Sequence, residues 1–342
     1  MRPEGLLAAP DGDDSSPLSR LDGARVGRRR RSPAMADATH PATRRPALTG
    51  RSWWPGERLL RPARHGAFLA LAVYLVLLGS GHIPLAVDAH AYWAADPGSP
   101  YWQSRLGDFN GYFYSPIFVQ LLWPLTRLPW NLFAAAWTAL LIAALYVQTG
   151  RWFGLVVPLV GVELAMANIH ILLGLTVAAG LVWPAAWAFA LLTKITPGIG
   201  LLWFAVRREV RPLAIAALAT AALVLPSFVL KPGLWIDWVR LVASPLGTPN
   251  GIEIPLVVRL PVAAALIAWG SRTDRRWTLV VGGWLAVPAL WWNSTAVLVA
   301  LIPLLDRSVP LARLASRRGR PLVLSTGVTA SSLAPTASIQ PD

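Results

Sequence analysis

GAFLALAVYLVLLGSGHIPLA, residues 66–86, carries no Asp, Glu, Lys or Arg. About 20 consecutive apolar residues make a helix long enough to cross the hydrocarbon core of a bilayer, so this stretch reads as a transmembrane helix. The chain then repeats the pattern. From Gly66 to Leu305 it is almost continuously apolar, with breaks that are short and charged or rich in Pro and Gly. Further apolar segments cover 113–128, 131–147, 152–167, 169–182, 183–206, 213–230, 254–269, 277–290 and 291–305. At roughly 20 residues per span plus turns this predicts an all-α polytopic membrane protein of about ten helices, within a range of about eight to eleven. No period of 20–50 residues marks a repeat architecture.

Composition agrees with that class. The 342-residue chain is 55% hydrophobic before its 27 glycines are added, 14% charged, and holds 18 Trp, 30 Pro and no Cys. Soluble domains reach about 45–50% apolar with glycine included and about 25% charged. A soluble two-domain enzyme is therefore set aside, and so is a disulfide scaffold. Trp collects at membrane interfaces, and Pro is tolerated within spans. Of the 31 basic residues, 29 are Arg, and the formal net charge is +14. With no RNA- or DNA-binding motif present, that charge reports orientation in the bilayer and not nucleic-acid binding.

The positive-inside rule puts four basic regions in the cytoplasm. These are the N-terminal tail, the break from Arg207 to Arg211, the break holding Arg272, Arg275 and Arg276, and the C-terminal stretch with Arg313, Arg317, Arg318 and Arg320. Even numbers of spans between them satisfy the rule, and ten spans do so. The polar stretches 87–112 and 231–253 then face the outer side. Residues 1–65, with thirteen Arg and seven acids, are expected to be a disordered cytoplasmic tail. The membrane domain is expected over 66–306 and a second such tail over 307–342. The run Arg28-Arg29-Arg30-Arg31 reads equally as an anionic-lipid contact and as a solvated tail. It is not a secretory signal, because no apolar region follows it within reach, and Met35 offers an alternative start.

Chemistry is expected where polar groups meet the membrane boundary. Asp88, directly after the first span, is the first choice for a general base, because partial desolvation raises a carboxylate pKa toward a useful value; the alternative is a solvated loop residue ending a helix. Asp108 is the competing acid. Around it Phe109, Tyr112 and Tyr114 would suit either sugar stacking or interface anchoring. Asp88, His90 and Asp96 are a weak set for a divalent cation, and no metal or other cofactor is expected, since His-x3-His, Glu-x-x-His and Cys ligands are all lacking. Phosphate-binding Gly-rich loops, the dinucleotide fingerprint and the Gly-x-Ser-x-Gly elbow are also missing. Within the apolar region Glu163, Asn168, His170 and Lys194 are functional candidates, because burying them in lipid is costly unless they face a cavity or a partner. Lys194 precedes Pro197 and Gly198, which loosen a helix. It could serve a phosphate-bearing lipid or simply pair with Glu163. The sequon Asn293-Ser294-Thr295 reads as a structural outer turn.

These residues resemble glycosyltransferase family 87, polytopic transferases of the GT-C class. The resemblance rests on Asp88 with Tyr92 four residues on. It rests also on Phe113-Tyr114-Ser115-Pro116 followed by Pro124-Leu125 and Leu128-Pro129, and on Lys194-Ile195-Thr196-Pro197 running to Arg207-Arg208. It covers roughly residues 66–230. Where the family often has Asn-x-Asn or Gln-x-Asn, this chain has Asn168-Ile169-His170. The resemblance implies a GT-C-like helical bundle in a bacterial plasma membrane, as in actinobacterial mannosyltransferases, with both termini cytoplasmic and the active site outside. It implies inverting transfer of a hexose, mannose in the family's best-known members, from a polyprenyl phosphate to an outer-leaflet lipid or glycan acceptor, with Asp88 as base. Lys194, Lys231 or Arg105 would be the cation for the leaving phosphate. His90, Tyr92, Arg105, Tyr112, Tyr114, Asn168, His170 and Lys194 would contact donor or acceptor. Two other readings stay open. A secondary transporter or lipid flippase fits isolated Lys194 and Glu163 with Pro/Gly-broken helices, and an envelope scaffold is supported by the tails alone.

Overall fold

The computed structural model describes residues 56–102, 104, 111–244, 254–319 and 322. The expected N-terminal tail up to residue 55, the loop with Arg105 and Asp108, residues 245–253 and most of the C-terminal tail lie outside the described residues. Among the described residues every regular element is helical. Three stretches are long and apolar enough to cross a membrane, namely Arg58–Gly79, Trp130–Met166 and Val210–Leu230. Trp292–Leu305 with Pro310–Arg317, bent by 52°, makes a fourth if taken as one span. The rest of the apolar region is divided into shorter helices, because Pro and Gly recur inside it and each Pro removes a backbone donor.

In chain order the helices are α1 (Gly56–Gly79), α2 (Val87–Ala94), α3 (Pro116–Leu122), α4 (Trp130–Thr149), α5 (Phe153–Val156), α6 (Gly161–Met166), α7 (His170–Gly180) and α8 (Trp187–Thr193). They continue as α9 (Leu202–Val206), α10 (Val210–Leu230), α11 (Pro232–Ala243), α12 (Leu256–Arg272), α13 (Trp277–Leu285), α14 (Ile302–Leu305) and α15 (Pro310–Arg317). Turns of 3-10 helix at Thr196–Leu201 and Trp292–Leu301 lead into α9 and α14. Helix α1 begins upstream of the expected span and stops at Gly79, where Gly81 with φ 77° turns the chain away.

The stretch Trp130–Met166 is helical throughout, yet it is not one rod. The Trp137 indole donates to the Ala167 carbonyl at 2.9 Å. Thirty residues of straight helix would separate those positions by about 45 Å. The chain therefore reverses, and it does so at Gly150, whose φ of 52° ends α4. The returning leg passes so close to α1 that a Cβ on Gly154 would collide with the backbone of Ala63 and Arg64. Such close crossings of small residues are how helices pack where lipid supplies no hydrophobic drive.

The basic breaks come together at one end of the helices. Arg151 pairs with Asp306 at 2.8 Å, Arg207 reaches Asp274 at 3.5 Å and the Ser271 carbonyl at 3.0 Å, Arg276 donates to the Leu322 carbonyl, and Arg318 lies over Trp183. The opposite end gathers the turns after α1, α6, α8 and α13. There Asn131 bonds the Gly79 carbonyl, the Ala86 N–H bonds Ala165 at 2.7 Å, and Thr196 bonds the Ala286 carbonyl. One core packs α1, α2, α4 and α7 around Tyr92, Phe133 and Leu141; another packs α7, α8 and α13 around Trp187, Ile267 and Leu279.

A buried polar cluster as candidate active site

At the end opposite the arginines, α2, α6, α7, the residue that follows α8 and the turn before α14 each contribute a polar side chain to one cluster. Ala86, fully buried with φ 66°, sits in the left-handed region and starts α2. Asp88 follows in the first turn. Ala167, also fully buried, has φ 55° and ends α6 just before Asn168. An alanine in that region costs roughly 1 kcal/mol. Both strained turns aim their next polar residue at the same point. Asn168 Nδ2 donates to Asp88 Oδ2 at 2.7 Å.

Behind this pair lies a second line of groups. Glu163 is fully buried, and its carboxylate accepts from the His170 backbone N–H at 2.6 Å, from His170 Nδ1 at 2.9 Å and from Asn293 Nδ2 at 3.0 Å. A carboxylate that accepts a hydrogen bond from Nδ1–H leaves Nε2 of the neutral ring as an acceptor. Lys194 Nζ donates to that nitrogen at 2.7 Å. The imidazole of His170 thus stands between Glu163 and Lys194, which do not pair directly. Lys194 follows the end of α8 in extended conformation, and the 3-10 turn at Pro197 and Gly198 replaces the helix that would otherwise continue.

Asp88, Asn168 and Lys194 are partly buried, whereas Glu163, His170 and Ser294 are fully buried. The first three form the open side of the cluster and the others its floor. Burial pushes the Asp88 carboxyl above the ordinary carboxylate range, while the Asn168 hydrogen bond and the Lys194 charge pull it back in part.

The other expected site residues fall in different places. Tyr92 is one helical turn beyond Asp88, which puts both on one face of α2. Its ring is buried against Tyr114, Phe118 and Trp137, and its hydroxyl meets that of Tyr114 at 3.0 Å. Tyr112 is buried as well, donating to the Ser115 carbonyl. These rings anchor α2 and thereby aim Asp88, so they form neither an exposed stacking platform nor an interface belt. His90 packs on Trp93 and Trp130, away from the cluster. Asp96 is exposed, and the Gly98 N–H and Ser99 hydroxyl hold it below the usual carboxylate range. Among the described residues no three His, Cys, Asp or Glu converge as metal ligands. Lys231 is exposed at the junction of α10 and α11.

Arg259 went unnoticed in the sequence. It is 5% exposed on α12, and its guanidinium donates to the carbonyls of Ile254, Leu285, Val287 and Pro288. Among the described residues it has no carboxylate partner. The rule that selected Glu163 and Lys194, an ionisable group inside an apolar segment, would have selected it too. The turn it clamps is the one whose Ala286 and Ala289 carbonyls take the hydroxyls of Thr196 and Ser294.

Long apolar helices with an acid, an amide, an imidazole and an amine gathered at one end define a membrane protein with a polar working site. The family model for glycosyltransferase family 87 matches residues 112–317. The chain belongs to that family and is a membrane glycosyltransferase. The matched segment starts later and runs further than the resemblance read over 66–230; it includes Asn168, His170, Lys194, Arg259 and Asn293, and leaves out Asp88 and Tyr92. No curated protein and no solved structure matches the chain.

Proposed function

We propose that the enzyme moves a hexose, mannose by its resemblance, from a polyprenyl phosphate to a lipid or glycan hydroxyl at the outer face of a bacterial plasma membrane, with inversion at the anomeric carbon. The observation that carries this reading is that one cluster holds the partly buried Asp88 carboxyl, bonded by Asn168, and the Lys194 amine, bonded to His170, close enough to feel each other's charge without a direct contact. The acceptor oxygen attacks the anomeric carbon, its proton passes to Asp88, and the bond from that carbon to the phosphate oxygen breaks. Lys194, oriented by His170 and Glu163, would donate to the departing phosphate, where charge develops. Asn168 would hold the Asp88 carboxylate with one oxygen toward the acceptor. No step is assigned to a metal or other cofactor. Asp108 and Arg105, outside the described residues, stay as the second acid and a further cation.

The architecture we infer is GT-C-like; the membrane domain expected over 66–306 is extended by the start of α1 at Gly56 and by α15, whose Leu311 and Ala315 are buried in the helical core, with the terminal tails beyond them. Counting each reversal between the arginine end and the cluster end supports ten passes. Both termini and the arginines would then be cytoplasmic and the cluster outside.

The test is sugar transfer by purified protein in lipid, with radiolabelled polyprenyl-phosphate mannose and native envelope lipids. Wild type should yield a labelled lipid or glycan, and Asp88→Asn should lose about 10²–10⁴-fold of the rate while still binding donor. Full activity in Asp88→Asn would remove Asp88 as base. Donor movement across the bilayer without product would favour the flippase reading.

A further inference from the structure

At the arginine end, residues far apart in the chain enclose a cleft of about 340 Å³ lined by Val182, Trp183, Pro184, Ala185, Arg211, Pro212, Ile215 and Arg318. Sites for small molecules begin at about that size. Its only charged lining groups are the two guanidiniums. Among the described residues Arg211 has no side-chain partner, and Arg318 has only the Trp183 ring, 5.6 Å from its Cζ. Two like charges share a pocket with no acid, an arrangement that an anion between them would relieve. The remaining lining is apolar, which a free inorganic anion would not use.

Ile215 in the cleft begins an exposed stripe on α10. Leu218, Ala222, Leu225 and Val229 follow at spacings of three and four residues, and all are exposed. Such spacing keeps them on one face. From Ile215 to Val229 the stripe runs about 21 Å at 1.5 Å per residue, longer than the ~15 Å of hydrocarbon in one leaflet.

We propose that this cleft binds the phosphate headgroup of an anionic phospholipid of the cytoplasmic leaflet, held between Arg211 and Arg318 beside the Trp183 indole, with an acyl chain lying along the α10 stripe. The site is separate from the transfer cluster at the other end. It rests on the arginine end facing the cytoplasm but not on the transfer reaction.

The test is titration of short-chain phosphatidylglycerol, and separately phosphatidylcholine and inorganic phosphate, onto the full-length protein in neutral detergent, read by native mass spectrometry. Phosphatidylglycerol should bind wild type tightest. The pair Arg211→Ala with Arg318→Ala should weaken it by at least about tenfold, the loss expected for one charge-assisted contact or more. The control pair Arg272→Ala with Arg313→Ala removes the same charge outside the cleft and should change binding less than twofold. Equal loss in both pairs would reduce the effect to net charge and overturn the site. So would undiminished binding in the first pair. Inorganic phosphate competing at equal concentration would overturn the lipid as occupant. Unchanged thermal stability of the first pair in phosphatidylcholine confirms that lost binding is not lost folding.

Discussion

Asp88 carries opposing demands on its proton. As a base it must be ionised, whereas burial favours its neutral form and raises its pKa from the ordinary value. Transfer should therefore fall as pH drops through that raised pKa, and do so above the usual carboxylate range. The sign for stability is the reverse. A folded pKa above the unfolded one means that the folded state holds its proton longer, so this group contributes stability at acid pH that is lost as pH rises. Asp88→Asn keeps the shape and the Asn168 neighbour without the charge, so it should melt higher than wild type at neutral pH, and the gap should close toward pH 4. Thermal melts of the two proteins across that range check this. A gap that widens on acidification would mean that Asp88 is held ionised by Asn168 and Lys194.

At the scale of elements, the turn after α13 depends on one side chain. Four carbonyls in the 254–288 region meet Arg259, and a buried acceptor left alone costs about 1–3 kcal/mol. Some would find water at the membrane edge, so Arg259→Met should cost about 2–4 kcal/mol, a fall in Tm of roughly 3–6 °C for a chain of this length. Transfer should fall as well, because Thr196 and Ser294 hang from the same turn and flank Lys194 and His170. Arg259→Lys should recover part of both, since an ammonium supplies three donors without the planar fork. A melt and a transfer assay on each variant decide it, and wild-type behaviour of Arg259→Met would show that the carbonyls find other donors.

For the molecule as a whole, the separation of arginines from the polar cluster makes a claim about sidedness. The chain has no Cys, so single cysteines report without background. Ser99→Cys, exposed in the turn after α2, should react with a membrane-impermeant maleimide added outside intact cells. Arg272→Cys, exposed at the C-terminal end of α12, should react after permeabilisation alone. Reaction of both from outside would break the inferred arrangement of ten passes. The same separation keeps the proposed lipid cleft away from the sugar chemistry, so lipid binding and transfer can be varied independently.

Helical class and membrane placement were determined by the sequence, because long apolar runs with few charges have one stable solution in lipid, where backbone groups must bond within a helix. The sequence also marked Asp88, Asn168, His170 and Lys194, since ionisable or amide groups in apolar surroundings are rare and costly, and it pointed to the family through the order of Asp88 with Tyr92, Phe113-Tyr114-Ser115-Pro116 and Lys194-Ile195-Thr196-Pro197. Tertiary structure decided how they meet. Asp88 and Asn168 are eighty positions apart, and no local spacing says that two left-handed alanines turn them toward each other. Nor does local spacing place His170 between Glu163 and Lys194, or draw Tyr92, Tyr112 and Tyr114 into the core. Several segments between 113 and 206 are already short in the sequence, but hydropathy does not show that 183–206 divides into α8, a 3-10 turn and α9 of opposite direction, because it measures a segment's affinity for lipid and not its hydrogen bonds. Composition is a sum over residues, and it survives in any fold; a site is a set of distances, and only the packed chain has them.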